Sequence, residues 1–404
     1  MHYEKKPKKI VLAYSGGLDT SVILTWLKEH YGADVVACYI NLGQKEDTKA
    51  IRAKAFRTGA CAYFAPDVQS QYVTDYLWPA LQAHATYEHK YLLGTSLARP
   101  LIAQKIVEVA RKVKADAVCH GSTGKGNDQV RFELTFKALA PDLQIIAPWR
   151  TWDFKGREDL INYAARHGIP IPVSKKKPYS SDANLWHISH EGGILEELDK
   201  AVPEDVYEWT VSPEKASAKG DVVDIGFEKG IPVKLNGKNM SPVSLVVRLN
   251  ELGGRNSIGR VDMVENRLVG LKSRGIYECP AATILYAAHR ELESLALDRE
   301  TLHQKELIGP KFGEMTYNGQ WFTPLRESLQ KFIESTQTYV TGAIKLKLYK
   351  GNVIVLARKC EKSLYAKDWV TFEADAFYNQ ADATGFINLF GLPLKMQALL
   401  RRKS

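Results

Sequence analysis

From about residue 10 to residue 170, apolar runs of four to seven residues alternate with longer amphipathic segments whose apolar positions recur at helical spacing. Short runs of this kind fit strands covered on both faces, and the segments between them fit the covering helices, so the pattern predicts repeated strand–helix–strand units and a parallel sheet. Strands are expected over Ile10–Tyr14, Val35–Ile40, Ala62–Ala65, Ala115–His120 and Leu143–Ala147. Helices are expected over Thr20–His30, Glu46–Gly59, Gln69–His84, Pro100–Val113, Asp128–Leu139 and Arg157–His167.

The alternation ends at IPIPVSKKKP, which carries Pro170, Pro172 and Pro178, and beyond Pro213 strands and helices are mixed. VVDIGF and IPVKL read as strands leading to an Asn236-Gly237 turn. Ser241-Pro242, Cys279-Pro280 and Thr323-Pro324 read as helix starts with proline at the first position. TYVTGAIKLKLY and VIVLARK flank Lys350-Gly351-Asn352 as a hairpin. From about Tyr365 the chain is rich in aromatics and ends in the amphipathic stretch LPLKMQALLRRK. The fold class expected is α/β: a doubly wound parallel sheet over 1–170, a second α+β domain over 171–364, and a helical tail over 365–404.

Composition narrows the picture only a little. A chain of 404 residues suits two or three domains at about 150 residues each. No apolar run approaches the roughly 18 residues of a membrane span, and no signal peptide follows the basic start, so a cytoplasmic protein without a membrane partner is expected. Cys38, Cys61, Cys119, Cys279 and Cys360 are odd in number and scattered, which points to reduced thiols and not to a metal site. The net charge of +9 lies in short separate clusters (residues 5–9, Lys175-Lys176-Lys177 and Arg401-Arg402-Lys403) without interleaved aromatics. A solvated surface explains such clusters, and no nucleic-acid partner is expected.

Chemistry concentrates in three glycine-bearing loops that follow strands: AYSGGLDTS (Ala13–Ser21), NLGQ (Asn41–Gln44) and GSTGKGND (Gly121–Asp128). In an open parallel sheet these loops meet beyond the carboxyl ends of the strands, where ligands bind. Glycines let the backbone approach an anion, and the first N–H groups of a helix lack intrahelical partners, which describes a phosphate cradle. A helix terminus contributes only about 0.3 to 1 kcal/mol, so the hydroxyls of Ser15, Thr20 and Ser21 and a cation must add to it. Asp19 then has two readings: a ligand to that cation, or a cap on its own helix. Neither the GxxxxGK loop nor the dinucleotide fingerprint is present.

The pattern SGGxD followed by Thr-Ser, directly after a first strand, resembles the loop of the PP-loop ATP pyrophosphatases, which split ATP between its α and β phosphates. Over nearly its whole length the chain is similar to the argininosuccinate synthase family. The resemblance is carried by AYSGGLDTS, GSTGKGNDQVRFE, PYSSDANLWHIS and GRVDMVENRLVGLKSRGIYE. Ser181 and Asn256-Ser257 depart from it, where the family more often has Met and His-Gly.

The resemblance implies a ligase that joins L-citrulline to L-aspartate through a citrulline-adenylate, with cleavage of ATP to AMP and pyrophosphate in arginine biosynthesis. It implies magnesium with the ATP and a homotetramer. Carried over by position, Ala13, Tyr14, Ser15, Gly16, Gly17, Leu18, Asp19, Thr20, Ser21, Ile40 and Gly121 would bind ATP. Thr123, Asn127 and Asp128 would hold aspartate. Tyr91, Ser96, Asn127, Arg131, Ser180, Ser189, Glu265 and Tyr277 would hold citrulline. Asp19, Asp128 and Arg131 are the catalytic candidates, with Asp128 the nearest group to take a proton from the attacking amine. Arg131 suits a carboxylate and Glu265 an α-ammonium. Each has a plainer reading as well: Arg131 as an ion pair with Asp128 or Glu133, Tyr277 as a core aromatic, Glu265 as a solvated residue and Asp128 as a helix-start carboxylate.

Overall fold

The computed structural model describes residues 6–170, 179–369 and 378–402. Pro172, Lys175-Lys176-Lys177, Pro178 and Phe377 lie outside the described residues, as do Lys5 and Lys403. Residues 1–361 form one compact unit and residues 362–404 a second.

In the first part of the chain, β1 (Lys9–Ala13), β2 (Asp34–Cys38), β3 (Ala62–Phe64), β4 (Ala117–Cys119) and β5 (Gln144–Ile146) pair in parallel in the order β3-β2-β1-β4-β5. Ile10, Val11 and Leu12 are fully buried, which is why this strand reads as a continuous apolar run and not as an alternation. The chain winds outward in both directions from β1, so β1 and β4 flank the point where the order reverses. The loops after those two strands are Ala13–Ser21 and the glycine loop from Gly121, and the crevice between them is where an open α/β sheet binds ligands.

Two antiparallel sheets follow. One contains β6 (Ser180–Ala183), β7 (Ile188–Glu191), β11 (Arg260–Asn266) and β12 (Lys272–Glu278) in the order β11-β12-β7-β6. The other contains β8 (Asp221–Glu228), β9 (Ile231–Leu235), β10 (Lys238–Asn239), β13 (Gly342–Tyr349) and β14 (Asn352–Cys360) in the order β10-β9-β8-β13-β14. The Asn236-Gly237 and Lys350-Gly351 turns have positive φ at both residues, as two-residue hairpins require. Pro242, Pro280 and Pro324 each stand at the first position of a helix, with Ser241 and Thr323 accepting backbone N–H groups as caps.

Several boundaries differ from the pattern reading. The helix expected from Pro100 starts at Gly94, with Pro100 inside it and Leu93 left-handed at its entry. Buried packing of Leu97, Ala98 and Leu101 outweighs the hydrogen bond that proline removes. The helix expected over Gln69–His84 ends at Gln82 and widens to a π turn at Tyr72–Leu77, just before Pro79, which has no N–H to give Asp75. The helix expected from Glu46 runs Thr48–Arg57, because Asp47 caps the N–H groups of Lys49 and Ala50.

Of the cysteines, Cys38, Cys119 and Cys279 are buried, Cys360 is half-buried, Cys61 is exposed, and all are unpaired. No helix among the described residues is long and apolar enough to cross a membrane. In the second unit the helices Asp382–Phe390 and Leu392–Arg401 bury none of their residues.

Candidate active site

A cleft of about 550 Å³ opens at the carboxyl ends of β1, β2 and β4. Ala13, Tyr14, Ser15, Thr20, Ile40 and Gly121 line it, together with Gly43 and Gln44 of the second glycine loop. Gly16, Gly17, Leu18, Asp19 and Ser21 are not in the wall, and two of them shape the loop. Gly16 has φ +78, which favours glycine. Ser21 Oγ donates to the Gly17 carbonyl at 2.7 Å. Ser15 Oγ accepts the Gly17 N–H at 3.3 Å and lies 3.1 Å from Thr20 Oγ1. The first helix, Leu18–Tyr31, has no side-chain cap, so Asp19 does not play the capping role.

A second cleft of about 300 Å³ adjoins the first. Arg99, Gly121, Ser122, Asp128 and Asp182 line both, and so form a common wall. At its centre Asp128 Oδ2 accepts Arg99 Nε and Oδ1 accepts Arg131 Nη1, both at 2.8 Å. Arg99 Nη2 continues to Asp182 at 2.5 Å. Burial pushes the Asp128 carboxyl up, but Arg99 and Arg131 outweigh it and hold the group below the usual carboxylate range. Arg131 is itself buried, donates Nε to the Tyr317 carbonyl at 2.9 Å and lies 4.8 Å from the Tyr317 ring centre.

The far end of this cleft is a carboxylate in an aromatic cage. Tyr277 and Tyr317 each donate a hydroxyl to Glu265, one to each oxygen. Asn127 Nδ2 donates to Tyr317 Oη at 2.8 Å, while its Oδ1 accepts Leu268 N–H at 2.8 Å. Tyr91 packs against Tyr277 with ring centres 4.7 Å apart, and Tyr87 stacks on Tyr317. The rim is an ion pair, Arg267 to Glu191 at 2.8 Å, and Arg267 also reaches the Lys125 carbonyl. Below lies His187, bonded to Thr95 Oγ1 at 2.9 Å, and burial followed by the charge of Arg99 pushes its imidazole down to about 3.

Tyr91, Thr123, Asn127, Asp128, Arg131, Ser189, Glu265 and Tyr277 thus share one cleft. Ser96 and Ser180 line neither cleft: Ser96 is fully buried in the first turn of its helix, and Ser180 is exposed at the start of β6, where it pairs with Glu191. Arg131 pairs with Asp128, whereas Glu133 instead meets Arg150 and His120. Glu265 is buried and not solvated, and Tyr277 belongs to the core and to the cleft at once.

Arg99, Asp182, Glu191, Arg267 and Tyr317 were not singled out in the sequence. Reading Pro100 as a helix start hid Arg99, and nothing near Tyr317 marks it, since its partners Asn127, Arg131 and Glu265 are far away along the chain. Ser181, one of the departures, lines the first cleft and lies 2.8 Å from His190 Nδ1. His190 in turn meets the buried Glu278, which accepts the backbone N–H groups of Glu208, Trp209 and Thr210.

Residues 9–170 match the family model of the argininosuccinate synthase N-terminal HUP domain, and residues 179–397 match that of the C-terminal domain. The argininosuccinate synthase of Endomicrobium trichonymphae is 59% identical over 395 residues, covering 98% of this chain and 96% of that protein. Those of Carboxydothermus hydrogenoformans and Caldanaerobacter subterraneus subsp. tengcongensis are each 58% identical over 395 residues, covering 98% of this chain and 98% and 96% of those proteins.

Proposed function

The chain belongs to the argininosuccinate synthase family, ligases that join citrulline to aspartate at the expense of ATP, and from that premise we propose how its two clefts divide the reaction. ATP lies in the cleft of the parallel sheet, with its phosphates on the Ala13–Ser21 loop. Citrulline lies in the adjoining cleft, its α-ammonium at Glu265, its carboxylate at Arg131 and its ureido group at the common wall. Aspartate is held by Thr123, Asn127 and Asp128. On this reading residues 1–170 are the nucleotide part and the amino-acid cleft is completed by the following domain. The observation that carries the proposal is the common wall of Arg99, Gly121, Ser122, Asp128 and Asp182, which lets a nucleotide in one cleft meet an amino acid in the other.

The chemistry asks for such a meeting. A ureido carbon is a poor electrophile, because two nitrogens feed electrons into it. Attack of its oxygen on the α phosphorus expels pyrophosphate and turns that oxygen into a leaving group. The aspartate amine then adds to the carbon and AMP departs. Alignment of three reactants and stabilisation of charge on phosphate are the protein's main contributions. Arg99 on the wall is placed to meet the charge that develops there. Asp128, clamped by two guanidinium groups, is a weak proton acceptor, so its role is to anchor the arginines and the incoming ammonium.

The Asp19 carboxylate caps no backbone group, and its chemistry would suit a divalent cation brought in with ATP. Magnesium is the expected ion, and its charge would favour departure of pyrophosphate. A cytoplasmic homotetramer completes the proposal, supported by the exposed Phe386, Ile387, Leu389 and Phe390 of the tail, an apolar surface suited to a neighbouring subunit. The function test measures pyrophosphate release with ATP and magnesium, omitting each amino acid in turn, together with citrulline labelled with ¹⁸O at the ureido position. Sustained turnover is expected only with both amino acids, and the label is expected in AMP. Label released into water would overturn the adenylate.

A further inference from the structure

Lys54 is a buried cation with no counter-ion among the described residues. Its helix, Thr48–Arg57, lies against the first glycine loop so closely that a Cβ on Gly16 would come within 3.1 Å of Ile51. One turn further along, Lys54 is 9% exposed, and its Nζ donates to the Gly16 carbonyl at 2.8 Å. No ion pair to Lys54 occurs among the described residues, and burial, followed by the charge of Arg57, pushes its pKa down.

Buried charges are normally paired, because desolvating an ammonium costs far more than one bond to a carbonyl returns. A helix asked only to pack here would carry a methionine or a leucine. The chain tolerates the charge at the one place where the proposed ligand is a polyanion, and the residue it grips is in the loop assigned to phosphate. Held on the helix side by Lys54, the Gly16 carbonyl is kept off an incoming anion, and the trans peptide then aims the following N–H the opposite way.

We infer that Lys54 is a positioning residue for the polyphosphate: it orients the Gly16–Gly17 peptide, and its missing counter-charge is supplied by the phosphates of ATP and by pyrophosphate. The inference rests on the assignment of the Ala13–Ser21 loop to ATP. It separates two quantities that a purely structural lysine would move together. Removing the charge relieves a cost in the free protein and removes a benefit in the complex.

The test compares Lys54→Met and Lys54→Arg with the wild type in thermal unfolding, with and without magnesium pyrophosphate, and in steady-state kinetics. Lys54→Met is expected to melt at or above the wild-type temperature without ligand, and to lose most of the upward shift that pyrophosphate causes. Its KM for ATP should rise roughly 10-fold to 150-fold, the range for loss of a charge-assisted contact, while the KM for citrulline stays unchanged. Lys54→Arg should recover much of the ATP effect. A Met variant that melts lower and keeps the full pyrophosphate shift overturns the inference, as does an ATP KM that rises no more than the citrulline KM. If the wild type itself shows no ATP-dependent pyrophosphate release, the assignment of the site fails; if the wild type works and only the Lys54→Met contrast is absent, the role of Lys54 alone is lost.

Discussion

The two clefts share a wall yet are built by opposite means. The cleft proposed for the nucleotide is framed by loops that leave the ends of adjacent parallel strands, and its distinguishing parts are glycines, small hydroxyls and the uncapped start of a helix. The cleft proposed for the amino acids draws side chains from β6, β7, β11, β12, three helices and the segment around Tyr91, and holds them in a largely buried network of charge and tyrosine hydroxyls. Backbone donors of a turn are positioned by local geometry, so each neutral hydroxyl of the loop adds a modest increment, in contrast to the charged Lys54 behind it. A buried ion network has no such reserve, because removing one member leaves another charge unpaired in a poorly solvated place.

The largest effect should therefore come from the common wall. Asp128→Asn leaves Arg99 and Arg131 without their shared anion; with 27% of the Asp128 side chain exposed, the loss lies at the lower end of the cost of breaking a buried pair, about 3 kcal/mol. The catalytic efficiency, kcat/KM for citrulline, should fall by roughly two to three orders of magnitude and the urea midpoint should drop. A variant within about 10-fold of the wild type would show that the clefts are less different than their construction implies.

Next in size is Arg131→Leu, which should raise the citrulline KM by roughly 10-fold to 150-fold through loss of a charge-assisted contact. The ATP KM should change little. Equal effects on all three substrates would reveal a folding defect and break the comparison.

A pH measurement sharpens it further. The His187 imidazole under the amino-acid cleft is pushed down to about 3, so the folded protein resists a proton that the unfolded chain takes up near its ordinary pKa of about 6.5. The stability this neutral histidine contributes is present above that upper value and is lost as pH falls toward about 3. Urea midpoints of the wild type should decline across this window more steeply than those of His187→Asn, and parallel curves would contradict the assignment.

The smallest effect is expected in the nucleotide cleft. Ser15→Ala removes the hydroxyl that accepts the Gly17 N–H and meets Thr20, contacts worth about 1 kcal/mol, or roughly 5-fold in the KM for ATP. The citrulline and aspartate KM values should not move. A large loss of stability in this variant would mean that the loop depends on its side chains as heavily as the neighbouring cleft does.

The same contrast governs what could be read in advance. The parallel sheet and the loops at its carboxyl edge follow from local pattern: buried apolar runs such as Ile10–Leu12, helix segments between them, and glycines where the chain turns. Both hairpin turns and all three proline-led helix starts are likewise local, since φ > 0 at Asn236-Gly237 and a fixed φ at Pro242, Pro280 and Pro324 are demands of single residues. The amino-acid cleft was legible mainly through the family resemblance and not through spacing. Helical spacing does bring Arg131 beside Asp128 at i,i+3, but no periodicity connects Asn127 or Arg131 to Tyr317, or Tyr317 to Glu265, in one cage.

Amino-acid order alone determined which segments are strands and helices over most of the chain, and where the backbone could approach an anion, because those outcomes depend on dihedral preference and on the repeat of apolar positions. Only the tertiary structure decided that Pro100 sits inside a helix, so that Arg99 faces Asp128 and Asp182. It alone decided that Glu265 is sheathed by two tyrosines and that Lys54 meets the Gly16 carbonyl across 38 positions of chain. In each of these the deciding energy is apolar packing, desolvation or a polar contact between elements, which exists only once the elements have packed.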